Sequence, residues 1–189
     1  MVPTKERNHS SVFLEFKGEG IMFDCGEGTQ RQLKIAEIKP TKITRILLSH
    51  WHGDHVFGLP GLLQTMSSLE QKKLEVYGPK GTIKNMEAMF KAFSFRPDFE
   101  FIVEDVEQGV FIENEDFSLS ALPLDHSVDC IGFRFEEKDR RRINTKKVKD
   151  LEIPDGPLLG KLQKGNSITF KGKKYSADDL TYVVKGKSV

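Results

Sequence analysis

Three of the chain's five histidines fall within six residues beside an aspartate: His50, His52, Asp54 and His55, in the run Ser-His-Trp-His-Gly-Asp-His. Neutral imidazole nitrogens and anionic carboxylate oxygens are the donors that borderline-soft divalent cations take, so this density points to a metal site, one that zinc, manganese or iron could use. Two positions apart on an extended segment, His50 and His52 can aim at one point when the chain curls, and Gly53 permits a sharp bend with no side chain in the way. Asp54 and His55 then face a neighbouring point. Two cations about 3.5–4 Å apart can clamp a phosphodiester, bridging a hydroxide and stabilising both the attacking and the departing oxygen. A bound cation also lowers the pKa of its water to about 7, which supplies the nucleophile at neutral pH. Single histidines carry no such weight: His126, in Pro-Leu-Asp-His-Ser, and His9 each read on their own as loop residues.

A cluster of this kind needs a rigid platform. Ile43 to Leu48 is almost continuously aliphatic, the pattern of a strand buried on both faces, and the cluster follows its carboxyl end, where open α/β sheets place their ligands. Upstream, Ser10 to Phe16 and Gly20 to Phe23 alternate in polarity around a Lys17-Gly18 turn, a hairpin signal, and Thr29 to Ile38 suits a short amphipathic helix. Downstream, Pro60 opens a helix through Leu69, Leu74 to Tyr77 is a strand, and Thr82 to Phe93 is a helix. Further strands are expected at Phe99 to Val103, Val110 to Ile112, Phe117 to Leu122 and Ile131 to Phe135. This order makes a layered α/β protein.

The 189 residues are 38% hydrophobic and 30% charged, which suits one soluble domain with a sizeable core. No apolar run approaches the ~20 residues of a membrane span, and the N-terminus lacks the apolar core of a secretory signal, so the expected location is cytoplasmic, away from membranes. Cys25 and Cys130 read as buried thiols rather than a disulfide scaffold. The net charge of +1 hides an asymmetry: Lys138 to Lys174 holds 12 Lys or Arg against 4 Asp or Glu, while the rest holds 17 basic and 24 acidic residues. Such a positive segment either steers a polyanion, with nucleic acid the leading candidate, or is a solvated loop whose lysines maintain solubility. Arg140, Arg141 and Arg142 are its densest candidate phosphate contacts. Turn chemistry at Ile153 to Pro157 and a small hairpin over Gly165 to Tyr175 around Gly172 complete a segment that looks like an arm.

The spacing of His50, His52, Asp54 and His55 resembles the signature of the metallo-β-lactamase fold. Phe23-Asp24-Cys25-Gly26-Glu27-Gly28-Thr29-Gln30, Val56-Phe57-Gly58-Leu59-Pro60-Gly61-Leu62-Leu63 and Gly156-Pro157 resemble, more narrowly, ribonuclease Z, the tRNA 3′-processing endonucleases. The likeness runs from Pro3 to Val189. It implies an α/β fold, the αββα sandwich, with residues 1–137 as the N-terminal part, 138–182 as a flexible basic arm and 183–189 as a strand returning toward a second half. It further implies two zinc ions, one on His50, His52 and His126 and one on Asp54 and His55, with Asp54 as the general base for the attacking water. The arm would be an exosite gripping precursor tRNA through Arg140, Arg141, Arg142, Lys146, Lys147, Gly156, Pro157, Lys161, Lys164, Lys173 and Lys174. Lys5, Arg7 and Asn8 would lie near the RNA 3′ end, and the protein would be a homodimer.

The family opens with a strand before the Pro3 region, where only Met1 and Val2 stand here. It also continues beyond the position of Val189 into a strand bearing a bridging aspartate, a further ligand histidine and a helper histidine. The expectation is therefore an enzyme lacking its first strand and C-terminal half, its second cation held by Asp54 and His55 alone, and so possessing little activity by itself. Two other readings stay open. A hydrolase of the same fold acting on a thioester, lactam or sulfate ester needs the metal cluster but not the basic arm, and a non-catalytic RNA-binding module needs the arm but not Asp54.

Overall fold

The computed structural model describes residues 2–189, and these divide into two units. The first runs to Phe111 and resumes over Ser120–Phe133; the second comprises Ile112–Leu119 and Arg134–Val189.

The first unit is built on a five-stranded sheet whose strands, in spatial order, are β1 (Val12–Phe16), β2 (Glu19–Phe23), β3 (Arg45–Leu47), β4 (Lys73–Gly78) and β5 (Glu100–Asp105). β1 and β2 are antiparallel, joined by Lys17 and Gly18 at φ 49° and 86°, the two-residue turn whose twist matches a hairpin. The remaining pairs are parallel, and helices connect several of them: α1 (Thr29–Ile35), α2 (Gly53–Val56), α3 (Leu59–Ser68) and α4 (Thr82–Phe93).

Alternation along the strands puts Met22, Ile46, Leu74 and Val76 on one face, packed in a common core with Leu33 of α1, Leu62, Leu63 and Met66 of α3, and Met86 and Phe90 of α4. Burying each such side chain stabilises the fold by about 1.5–3 kcal/mol. The opposite face carries Ile21, Leu47 and an ion-paired Arg45, whose Nε lies 2.7 Å from Glu75 Oε2, together with the rings of Phe23 and Tyr77. Phe111 packs on Tyr77 and Phe133 on Phe23, at centroid separations of 5.2 and 6.3 Å. A three-stranded sheet of order β6 (Gly109–Glu113), β7 (Phe117–Pro123) and β8 (Ile131–Glu137) contributes to both units.

In the second unit, β9 (Arg140–Ile143) pairs antiparallel with β12 (Thr181–Val184), enclosing α5 (Thr145–Asp150), α6 (Pro157–Gln163), the hairpin β10 (Ile168–Phe170) and β11 (Lys173–Tyr175), and α7 (Ala177–Leu180). The hairpin expected around Gly172 is formed. The helices were not legible in the sequence because each is one or two turns long and contributes only one to three apolar side chains to a shared small core. That core consists of Val148, Ile153, Leu162, Ile168, Ala177 and Leu180. Local chemistry sets the helix ends: the Asn144 side chain accepts from Lys147 N, Pro157 occupies the first turn of α6, and Ser176 with Asp179 closes a capping box on α7. After β12 the chain returns beside β8, where Val189 N donates to Phe135 O at 2.9 Å. Among the described residues no helix is long and apolar enough to cross a membrane.

Candidate metal centre

β3 delivers the cluster. Its backbone continues through Leu48 and Ser49 into His50, and Ser49 O accepts from Ile131 N at 2.9 Å, which fastens the segment after β7 alongside. That segment carries His126, so a residue 74 positions from His52 arrives with its Nε2 3.3 Å from His52 Nδ1. His50 Nε2 stands 3.1 Å from the same nitrogen. Suitable ligand atoms of His50, His52 and His126 all lie within 4.8 Å of one another. Three nitrogens bound tetrahedrally at 2.0–2.1 Å from zinc stand about 3.3 Å apart, so the two short separations already have the length of tetrahedral edges. His52 Nδ1 is the vertex they share.

Behind the imidazoles lies a carboxylate that the sequence reading quoted in a motif but gave no role. Asp24 follows β2 at φ 57°, a left-handed conformation that aspartate tolerates better than most residues. Its Oδ1 accepts from Ser49 N at 2.8 Å and from Ser49 Oγ at 2.9 Å, and its Oδ2 accepts from His55 Nδ1 at 2.7 Å. With the Ser49 hydroxyl proton committed to Asp24, Ser49 Oγ accepts from His50 Nδ1 at 3.0 Å. This network fixes the tautomers: His50 and His55 both keep Nε2 free as a lone-pair donor, the orientation that carboxylate and hydroxyl partners impose on metal-ligating histidines. Burial, reinforced by the neighbouring imidazoles of His55, His126 and His52, holds the His50 pKa below its ordinary range, which keeps the ring neutral and able to donate to a cation at neutral pH. The His55 Nε2 faces Asp54 Oδ2 at 3.7 Å. Aspartate directly after an alternating strand, followed by Cys-Gly, was the available signal for Asp24; nothing in the sequence marked Ser49.

Two glycines act through space rather than through φ. Gly53 does not adopt a positive φ; a Cβ there would stand 2.3 Å from the Phe57 ring, so its absence makes room for that ring where the chain turns from extended His52 into α2. At Gly26 a Cβ would stand 2.4 Å from the Asp54 carbonyl oxygen and 2.4 Å from His9 Cβ. We expect Gly26→Ala to push the Asp54 backbone outward at a cost of about 1–3 kcal/mol. The checks are a melting temperature lowered by several degrees and weaker cation uptake; an unchanged melting curve would contradict the packing described.

The other sequence-predicted residues lie elsewhere. Lys5 and Arg7 are exposed on a turn held by the Thr4 hydroxyl, and Asn8 is half-buried with its Oδ1 against Gly28. In the second unit Arg141 is engaged internally, donating to Asp178 and to Thr181 Oγ1, and Lys147 donates to Asp179 O. Arg140 lies 3.6 Å from Glu137. Arg142, Lys146, Lys161, Lys164, Lys173 and Lys174 are exposed and form no ion pair among the described residues, and Gly156 and Pro157 are exposed at the start of α6.

Residues 4–138 match the metallo-beta-lactamase superfamily. Over 165 residues the chain is 42% identical to ribonuclease Z of Methanothermobacter thermautotrophicus, covering 87% of this chain and 54% of that protein. Ribonuclease Z of Picosynechococcus is 41% identical over 184 residues, 95% of this chain and 58% of the relative. The chain thus spans somewhat more than half the length of these curated relatives. In structure it is similar to human tRNase Z, short form, with a TM-score of 0.66 at 34% identity, covering 73% of this chain and 61% of that one.

Proposed function

The chain belongs to the metallo-β-lactamase superfamily, and from that premise we propose that it serves the zinc-dependent endonucleolytic removal of 3′ trailers from precursor tRNA. The observation that carries the proposal is the convergence of His50, His52 and His126 in a chain that resembles ribonuclease Z over nearly its whole length.

In this reading His50, His52 and His126 hold one zinc ion, and Asp54 with His55 holds a second. Bound zinc acts as a Lewis acid and lowers the pKa of water to about 7. The protein's own groups do the rest. Asp24 takes a hydrogen bond from His55 Nδ1 and keeps Nε2 turned into the site. Asp54 orients the attacking water and takes its proton on a carboxylate oxygen. The exposed cations of the second unit, Arg142, Lys146, Lys161, Lys164, Lys173 and Lys174, contact RNA phosphates without reading sequence, which suits recognition of a shared tRNA shape. Lys5, Arg7 and Asn8 approach the RNA 3′ end. A homodimer forms part of the same reading, supported by the exposed Ile35 and Leu69 bordering a cleft of about 760 Å³ between α1 and α3. The location it implies is cytoplasmic.

The test is binding and cleavage of precursor tRNA, with metal content measured in parallel. The chain is assayed alone and mixed with the remaining portion of a full-length ribonuclease Z. We expect salt-sensitive binding of structured RNA, weakened severalfold when Arg142, Lys146, Lys161 and Lys164 are changed to Ala, with metal content unchanged. Failure to bind tRNA in either form, together with hydrolysis of a thioester, lactam or sulfate ester, would sink the proposal.

A further inference from the structure

Trp51 is the only tryptophan of the chain and stands between two of the three clustered histidines. Its indole Nε1–H donates to Thr82 Oγ1 at 2.9 Å, and that hydroxyl donates in turn to Pro79 O at 2.7 Å. Thr82 is fully buried at the first position of α4. The same helix start is held by Asp105, whose Oδ2 accepts from Gly81 N at 2.7 Å and whose Oδ1 accepts from Ile83 N at 2.9 Å. The Trp51 side chain also packs against the main core. The indole is therefore tied to a rigid support, and both the proton and a lone pair of the Thr82 hydroxyl are used.

We propose that Trp51 is a positioning residue: its clasp on Thr82 fixes the main chain between His50 and His52 so that both imidazoles reach one cation. The inference rests on the metal reading above. His52 Nδ1 is the vertex from which the separations to His50 Nε2 (3.1 Å) and His126 Nε2 (3.3 Å) are both measured. A rotation of the backbone at Trp51 therefore opens two of the three edges at once. Anchoring the intervening side chain on α4 removes that freedom without adding a ligand.

The experiment measures Co²⁺ affinity, from visible absorption in competition with a chelator, and the exchange rate of the single indole N–H by NMR. It compares the unaltered chain with Thr82→Val, Thr82→Ser and Trp51→Phe. Thr82→Val keeps the shape of the side chain and removes the hydroxyl; Trp51→Phe keeps a ring and removes the N–H. We expect both to weaken Co²⁺ binding about tenfold, as loss of an outer-shell support does, with Thr82→Ser restoring parental affinity and slow indole exchange. Should Thr82→Val fail to fold, Trp51→Phe decides. Variants that bind Co²⁺ within about twofold of the parent overturn the inference alone. A parent chain that takes up no Co²⁺ overturns the metal reading and this inference with it.

Discussion

We expect His52→Ala to abolish cation binding at the three-histidine cluster and, for the proposed tRNA-processing activity, to lower cleavage of precursor tRNA by at least about a thousandfold, because several kcal/mol of metal-dependent stabilisation would disappear. His52 Nδ1 is the common neighbour of His50 Nε2 and His126 Nε2, so its loss leaves only two of the three imidazole donors. His52 is only half-buried, so truncating it removes little core packing. Melting curves with and without zinc separate the two effects. Without metal the parent and the variant should melt together; with zinc the parent should rise further than the variant, which keeps only the Asp54 and His55 pair, since a cation that binds the native state stabilises it by mass action. A variant that gains as much stability from zinc as the parent, or that cleaves RNA at the parental rate, contradicts the site as described.

Asp24 has the second largest expected effect. Its buried carboxylate accepts from Ser49 N, Ser49 Oγ and His55 Nδ1 at 2.7–2.9 Å, so truncation strands three partly buried donors. Each orphaned donor costs about 1–3 kcal/mol, and Asp24→Ala should lose about 3–5 kcal/mol in urea unfolding. Asn tolerates the left-handed φ of 57° and retains one acceptor, so Asp24→Asn should lose less. Both should weaken cation affinity about 10–100-fold, because His55 is no longer held in its donating tautomer. Equal stability of parent and Asp24→Ala would show that the network contributes nothing.

The sequence made some parts of this arrangement legible and hid others for physical reasons. Long elements with a strong period were readable: α4 spans Thr82–Phe93 as expected, and the Lys17-Gly18 hairpin and the aliphatic strand before the cluster are where the pattern puts them. The second unit was less readable, since its core is assembled from a few apolar residues on each of several helices too short to show a repeat. His126 could not be joined to His52 from residue types alone. The link is a backbone bond from Ile131 N to Ser49 O, and such bonds leave no mark on side-chain chemistry. Asp24 was hidden for a related reason, as its partners lie 25 and 31 positions away and meet only after β2 and β3 pair. Gly53 reads in the sequence as room for a bend; the side chain it makes room for is the Phe57 ring.

The central requirement is one cation held by three imidazoles at the tip of a central strand. The direct measurement is anomalous diffraction at the zinc edge from crystals grown with zinc. A peak is expected at 2.0–2.1 Å from His50 Nε2, His52 and His126 together. Zinc-saturated crystals with no peak at that point, or with zinc bound only by other residues, would contradict it.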